Sequence, residues 1–303
     1  MMTKKKITVI GSINMDIVTS TNILPKMGET VLGKAFHTIP GGKGANQAVA
    51  AARLGADVSI IGCVGRDTFG KELKQHLNNQ GIDVQNVEPV TETSTGTATI
   101  TVFDGDNSII VVPGANYHVT PVYIERLEKI IAESDVVLLQ LEIPIETVEK
   151  AVEIASKHNA TIILNPAPIQ LLSKELLSKI DYITPNEHEQ EMLLTSSDWT
   201  DEERKEIIKK CIVTKGSKGV SILKRNELQI PSFNVDVVDT TGAGDTFNGA
   251  LAYCLSIGYE LEEACHFANA AAALSVTKFG AQGGMPTLQE VEEFLQLRGE
   301  KRK

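Results

Sequence analysis

Asp239-Thr240-Thr241-Gly242-Ala243-Gly244-Asp245-Thr246-Phe247-Asn248-Gly249 is the stretch around which the rest of the chain is read. Gly242, Ala243 and Gly244 let the backbone curl tightly and approach a ligand closely. The residues behind them, 246–257, predict a helix. Its first turn points unpaired N–H groups and the positive end of the dipole at whatever sits in the curl. An anion is favoured there, and a phosphoryl group in transfer develops such charge. Asp245 lies on that first turn. Its carboxylate either caps the helix, contributing about 1 kcal/mol, or takes a proton from an attacking hydroxyl; one residue can do both.

Outward from this motif, short β-branched runs alternate with helical patterns. Lys6–Ile10, 58–64, Val136–Leu139, Thr161–Leu164, 182–184 and Ile212–Thr214 read as buried strands. Helices are predicted at 44–54, 70–80, 121–134, 145–158, 174–177, Glu187–Leu194, 201–210 and 261–278. That rhythm implies an α/β fold with a mainly parallel sheet and helices on both faces. Two stretches break it. Residues 29–38 are extended and polar, and 93–112 alternate (Thr97, Thr99, Thr101 against Ala98, Ile100, Val102) about a turn at Asp104-Gly105-Asp106-Asn107. Both are expected in a small β lid, drawn from about 17–39 and 93–113 of a single domain spanning 1–303.

A second cluster is Pro40-Gly41-Gly42-Lys43-Gly44-Ala45-Asn46-Gln47-Ala48. Its glycines permit close approach at another helix start, with Lys43 and Asn46 as donors; the plain alternative is a strand-to-helix turn with a solvated lysine. Asn14-Met15-Asp16 is expected to close the first strand and face the crevice where α/β sheets bind ligands. As acceptors, Asn14 and Asp16 match a sugar diol; otherwise they form an Asx-turn. Two decoys spell G-x-x-x-x-G-K, at Gly28–Lys34 and Gly65–Lys71. Each lacks the following Ser or Thr for Mg²⁺, having Ala35 and Glu72 instead, so neither is a good P-loop. No G-x-G-x-x-G dinucleotide pattern follows Gly42-Lys43-Gly44.

The 303 residues carry 29 Lys+Arg against 39 Asp+Glu, a formal charge of -10. That balance argues against nucleic acid or an anionic membrane as partner. The apolar run after the N-terminal lysines is too short for a signal peptide. Cys63, Cys211, Cys254 and Cys265 show neither C-x-x-C nor metal-ligand spacing and read as buried thiols of a cytoplasmic protein.

With Gly11–Asp16, Pro40–Ala45, Gln140-Leu141-Glu142, Asn165-Pro166-Ala167-Pro168, Thr184-Pro185-Asn186-Glu187, Thr214–Gly219 and Asp239–Asn248 taken together, the chain resembles the PfkB-type, ribokinase-like carbohydrate kinase family over nearly its whole length. The resemblance implies a three-layer α/β/α fold with a β-sheet lid. The implied activity is transfer of the γ-phosphate of ATP to the 5-hydroxyl of D-ribose. Deoxyribose, another sugar or a nucleoside are alternative acceptors, and a non-catalytic sugar-binding regulator is the alternative of a different class. It further implies that Asn14, Asp16, Gly42, Lys43, Asn46 and Glu142 hold the sugar, with Asp245 as base and Gly242, Ala243 and Gly244 as anion hole. Asn186, Thr214, Gly216, Ser217, Gly219, Gly244 and Asn269 would line the nucleotide site, and Glu189 would organise Mg²⁺ through water. Asp239, Thr241 and the region of Ser275, Lys278, Gly280 and Gly284 would hold K⁺. Such lids often pair into homodimers. The stretch between Asn186 and Thr214 is shorter than the family pattern.

Overall fold

Five of the β-branched runs, joined by Val87–Val90, form a six-stranded sheet whose two faces are both covered. A computed structural model describes residues 5–104, 106–195, 199–223 and 227–299. Gly105 of the lid turn, 196–198 of the shortened stretch and both extreme ends lie outside them. The strands are β1 (Lys6–Ile10), β2 (Asn14–Thr21), β3 (Gly33–Gly41), β4 (Asp57–Gly65), β5 (Val87–Val90), β6 (Gly96–Phe103), β7 (Asp106–Val112), β8 (Val136–Leu139), β9 (Thr161–Leu164), β10 (Tyr182–Ile183), β11 (Ile212–Thr214), β12 (Val220–Leu223) and β13 (Glu227–Ile230). The helices are α1 (Lys43–Arg53), α2 (Thr68–Asn79), α3 (Pro121–Arg126), α4 (Glu128–Ala132), α5 (Ile145–Lys157), α6 (Lys174–Lys179), α7 (Glu187–Leu194), α8 (Asp201–Ile208), α9 (Ala243–Ser256), α10 (Leu261–Ser275), α11 (Ala281–Gly284) and α12 (Leu288–Leu297).

The central sheet has the order β10-β9-β8-β1-β4-β5, every pairing parallel. Side-chain alternation divides its core in two. Ile7, Val9, Val58, Ile60, Val136 and Leu138 pack with α1, α9 and α10, whereas Ile10, Ile61, Val137 and Leu139 pack with α3 to α6. This is the three-layer architecture expected. The predicted helix over 121–134 is broken at Leu127, which joins α3 to α4 with φ −104°. β11 belongs to a small antiparallel sheet with β12 and β13, joined to β10 by the bridge between Ile183 and Cys211.

A separate sheet, order β3-β2-β6-β7, supplies the lid. Its outer pairs are antiparallel and β2 runs parallel to β6. One expectation is corrected here. Asn14 to Asp16 do not close β1, which ends at Ile10; they open β2, with Asn14 opposite both Gly41 and Gly96. Gly11-Ser12-Ile13 turns the chain out of the central sheet, so the lid begins at the crevice itself. Pro40, which has no N–H, is accommodated because β3 is an edge strand.

Neither decoy forms a phosphate loop. Gly28–Lys34 leads into β3, a strand. At Gly65–Lys71 the start of α2 is filled by Asp67, which accepts from Gly70 N at 2.8 Å and from Thr95 N at 2.7 Å. No disulfide joins the four buried cysteines. Among the described residues, no helix is long and apolar enough to cross a membrane.

Candidate active site

Two long helices, α1 and α9, begin side by side at the crevice and run together from it. Gly249 makes this possible: a Cβ there would lie 2.6 Å from Ala50 Cβ and 2.7 Å from the Gln47 carbonyl. Their aligned N-terminal ends concentrate unpaired N–H groups and positive dipole at one place. Gly42, the N-cap of α1, has φ 89°, and a Cβ would meet Asn14 N at 2.7 Å. Gly242, the N-cap of α9, is left-handed at φ 77°. Only glycine adopts these conformations without strain.

Asp245 sits on the first turn of α9, buried to 8% exposure. It makes no capping bond to its own helix. Its carboxylate reaches across to α1: Oδ2 accepts from Asn46 Nδ2 at 2.9 Å and Oδ1 from Gln47 Nε2 at 2.9 Å. Its pKa is raised: burial pushes it up most, Lys43 and these two amide bonds pull against that, and Glu142 adds to the rise. For the half-buried Lys43, burial opposes the charge, but Asp245, Glu142 and Glu189 outweigh it and hold the ammonium above its ordinary pKa. Asp16 is pushed up to about 7, first by burial and then by Glu142 and Asp245. One ammonium among several carboxylates leaves a surplus of negative charge, which adds to burial in favouring the protonated form of Asp16.

Glu142 has a structural task besides any ligand. It accepts a short hydrogen bond from Ser12 Oγ and a 3.2 Å bond from Lys43 N, and Ser12 Oγ accepts from Gly44 N at 3.3 Å. The first turn of α1 is thereby tied to the segment after β8. Asn14 also differs from its expected role. Its Oδ1 accepts from Asn116 Nδ2 at 2.6 Å, and Asn116 Oδ1 accepts from Ile13 N at 2.9 Å. Asn14 therefore keeps an N–H donor for a ligand, so Asn14 and Asp16 form a donor–acceptor pair rather than two acceptors.

The expected nucleotide residues are joined mainly through backbone. Asn186 and Glu189 form a capping box at α7, each side chain accepting from the other's N–H at 2.8 Å. Thr214 bridges Asn186, donating its N–H to the Pro185 carbonyl at 2.9 Å. Gly216, Ser217 and Lys218 form a single 3₁₀ turn closed by Gly219 at φ 89°. Gly219 presses on Ile230, where a Cβ would come within 2.1 Å of the carbonyl. Asn269 holds the same corner, its Nδ2 donating to Ile230 O at 3.1 Å and Pro231 O at 3.2 Å; that amine is committed to the fold, leaving Oδ1.

The residues proposed for cations also come together. Asp239 Oδ1 accepts from Thr241 N at 3.0 Å and Thr241 Oγ1 at 2.7 Å, while Oδ2 accepts from Gly280 N at 2.8 Å. Burial raises the Asp239 pKa, but these bonds outweigh it and hold the carboxyl ionised. The Ser275 carbonyl presses against Gly284, where a Cβ would stand 2.0 Å from it. The Lys278 side chain is drawn off to Glu290 at 3.0 Å, leaving its carbonyl. One carboxylate with backbone carbonyls fits a large, hard monovalent ion, whereas Glu189, with Oε2 spent on its cap, fits Mg²⁺ held through water. Among the described residues no group of three or more His, Cys, Asp or Glu is arranged to hold a metal.

Gln47, Asn116, Ser12 and Gln282 were not singled out from the sequence. Gln47 carried a weak signal, a polar residue entering a run of buried alanines; Asn116, on a 3₁₀ turn after the lid, carried none.

A three-layer α/β/α body, a β lid over the crevice, and a carboxylate between two helix starts define a kinase-like phosphotransfer architecture. The model of the pfkB family of carbohydrate kinases matches residues 4–288, and the chain belongs to that family. It is 50% identical over 297 residues to the ribokinase of Bacillus subtilis (strain 168), covering 96% of this chain and 99% of that one. To a deoxyribokinase of Salmonella typhi it is 39% identical over 302 residues, covering 96% and 99%. The structure of Arabidopsis thaliana ribokinase complexed with ribose and ATP superposes with a TM-score of 0.89 at 34% identity, covering 97% of this chain and 99% of that one.

Proposed function

We propose that the chain transfers the γ-phosphate of ATP to the 5-hydroxyl of D-ribose, giving ribose 5-phosphate and ADP. The observation that carries this reading is the Asp245 carboxylate, held between two helix starts by Asn46 and Gln47 beside Lys43, Asp16 and Glu142. The relatives named above and the nucleotide and sugar bound in the Arabidopsis thaliana complex support it.

Phosphoryl transfer asks the protein mainly for position and electrostatic support. Asp16, Glu142 and the N–H of Asn14 receive the sugar hydroxyls, while Lys43 balances the carboxylates around them. Asp245 accepts the proton of the 5-hydroxyl as that oxygen attacks phosphorus. The amides of Gly242, Ala243 and Gly244 meet the charge that spreads over the phosphoryl oxygens. Asn186, Thr214, Gly216, Ser217, Gly219 and Asn269 shape the nucleotide end. Mg²⁺, when bound, neutralises phosphate charge, with Glu189 as its water-mediated contact. Asp239, Thr241, Ser275, Lys278, Gly280 and Gly284 would hold K⁺ behind the anion hole. The lid closes over the sugar and excludes water. Its outer face leaves Phe36 63% and Ile110 68% exposed, with Val112 on the same face, and pairing of two lids in a homodimer would cover that face.

Incubating the pure protein with Mg-ATP, K⁺ and a panel of sugars tests the reading. Phosphate on C5 of ribose in preference to other sugars is the expected result. Preference for deoxyribose or a nucleoside reassigns the acceptor, and no transfer to any sugar removes the kinase reading.

A further inference from the structure

The carboxylate at the crevice is held by a chain of amides whose direction it dictates. An ionised carboxylate only accepts. Gln47 must therefore turn Nε2 to Asp245 Oδ1, at 2.9 Å, and Oε1 away from it. That Oε1 accepts from Gln140 Nε2 at 2.6 Å. Gln47 Nε2 also donates to Asn165 Oδ1 at 3.1 Å, and Asn165 Nδ2 in turn donates to the Thr184 carbonyl at 3.2 Å. Gln140 Oε1 is left buried without a hydrogen-bond partner, packed on Gly11, where a Cβ would come within 1.9 Å. Turning the Gln47 amide over would permit a partner for Gln140 Oε1, but it would set an oxygen against both Asp245 and Asn165. The fold instead leaves a buried oxygen unpaired, a costly choice, and keeps the donor on Asp245.

The other oxygen of Asp245 is held the same way. Asn46 Nδ2 donates to it, Asn46 Oδ1 accepts from Gln282 Nε2 at 2.9 Å, and Gln282 Oε1 faces His76 Nε2 at 2.7 Å. An amide oxygen cannot donate, so His76 carries a proton on Nε2.

We infer that Gln47 is a positioning residue for Asp245: it pins Oδ1 from the α1 side while Asn46 pins Oδ2, fixing the plane of the carboxylate and leaving one lone pair on each oxygen for the sugar hydroxyl. The inference rests on the reading of Asp245 as base. The charged groups facing Asp245 are Lys43, Glu142 and Asp16. Burial and the like charge of Glu142 raise the Asp245 pKa, and the amide donors from Gln47 and Asn46 oppose that rise.

Gln47→Glu tests this, because it keeps the shape and replaces the donor with an acid. Single-turnover phosphoryl transfer at pH 7 is expected to slow at least tenfold, with KM for the sugar changed less than threefold. The acid limb of the rate–pH profile is expected to move up by about one unit or more, since two adjacent carboxyls share a proton. Gln47→Met, which adds no charge, is expected to show the same loss of rate at nearly constant KM, and it decides the matter if the acidic variant fails to fold. A transfer rate within twofold of wild type, with the acid limb unmoved, overturns the inference. Asp245→Asn separates this from the underlying reading. Near-normal transfer in that variant removes the base itself, whereas loss of transfer there with an unchanged Gln47→Glu profile overturns only the role of Gln47.

Discussion

The two ends of the cleft are built on different principles. The end assigned to the sugar is a closed set of buried side chains: Asn116 orients Asn14, Ser12 orients Glu142, and Asn46 and Gln47 orient Asp245. The end assigned to the nucleotide is chiefly backbone, a helix start at Ala243 and a 3₁₀ turn at Gly216–Lys218, with a capping box holding Asn186 and Glu189 in place. Side-chain networks suit the recognition of hydroxyls, because an unmatched buried group is penalised. Backbone amides suit phosphates, whose charge needs many similar donors rather than particular ones. Single side-chain changes should therefore cost far more at the first end.

The largest effect is expected from Asp245→Asn, which should cut turnover by roughly 10²–10⁴, the usual scale for an acid–base group, while leaving sugar binding largely intact by calorimetry. Next, Asn116→Ala removes the partner of Asn14 and of Ile13 N. It should raise the sugar KM about tenfold and cost about 1–3 kcal/mol of stability in denaturant titration, the usual range for a buried group left unpaired; an unchanged KM would show that Asn14 needs no outside support. A smaller effect is expected from pH. Asp16, at about 7 rather than 3.8, binds a proton in the folded protein that the unfolded chain has already lost. Stability from this group is full below its unfolded value and falls as pH rises from about 4 through 7. Sugar hydroxyls donate to the carboxylate, so binding releases that proton and affinity should rise between pH 6 and pH 8, by up to about tenfold per unit below the pKa. Titration calorimetry in buffers of different ionisation heat reads the released proton. The smallest effect is expected from Ser217→Ala. The turn holds its shape through Lys215 and Gly219 backbone bonds, so KM for ATP should change less than about threefold, the loss of one exposed hydroxyl bond. A larger loss would make the nucleotide end as dependent on side chains as the sugar end.

Much of this was legible in the chain. β1, β8 and β9 match their predicted limits because buried parallel strands are continuous apolar runs; β11 matches too, though it sits in the antiparallel sheet. The starts of α1 and α9 were marked by glycines that only a tight turn requires. The lid was legible as alternation, but the parallel pairing of β2 with β6 was not, since the residues that pair, such as Asn14 and Gly96, are separated by β3, α1, β4, α2 and β5. Asn14 was assigned its face but not its hydrogen-bonding sense, because its partner Asn116 lies 102 residues away. Gln47 and Asp245 are 198 apart, and neither residue type announces the other.

By itself the sequence determined the layer architecture, the two glycine-led helix starts and the residue types at the crevice, because periodicity and backbone sterics act over a few neighbouring residues. The tertiary structure alone decided which oxygen or amine each crevice side chain presents, and which carboxyls are pushed above their ordinary pKa. Those outcomes depend on long-range partners and on shared burial, neither of which leaves a local trace in the order of residues.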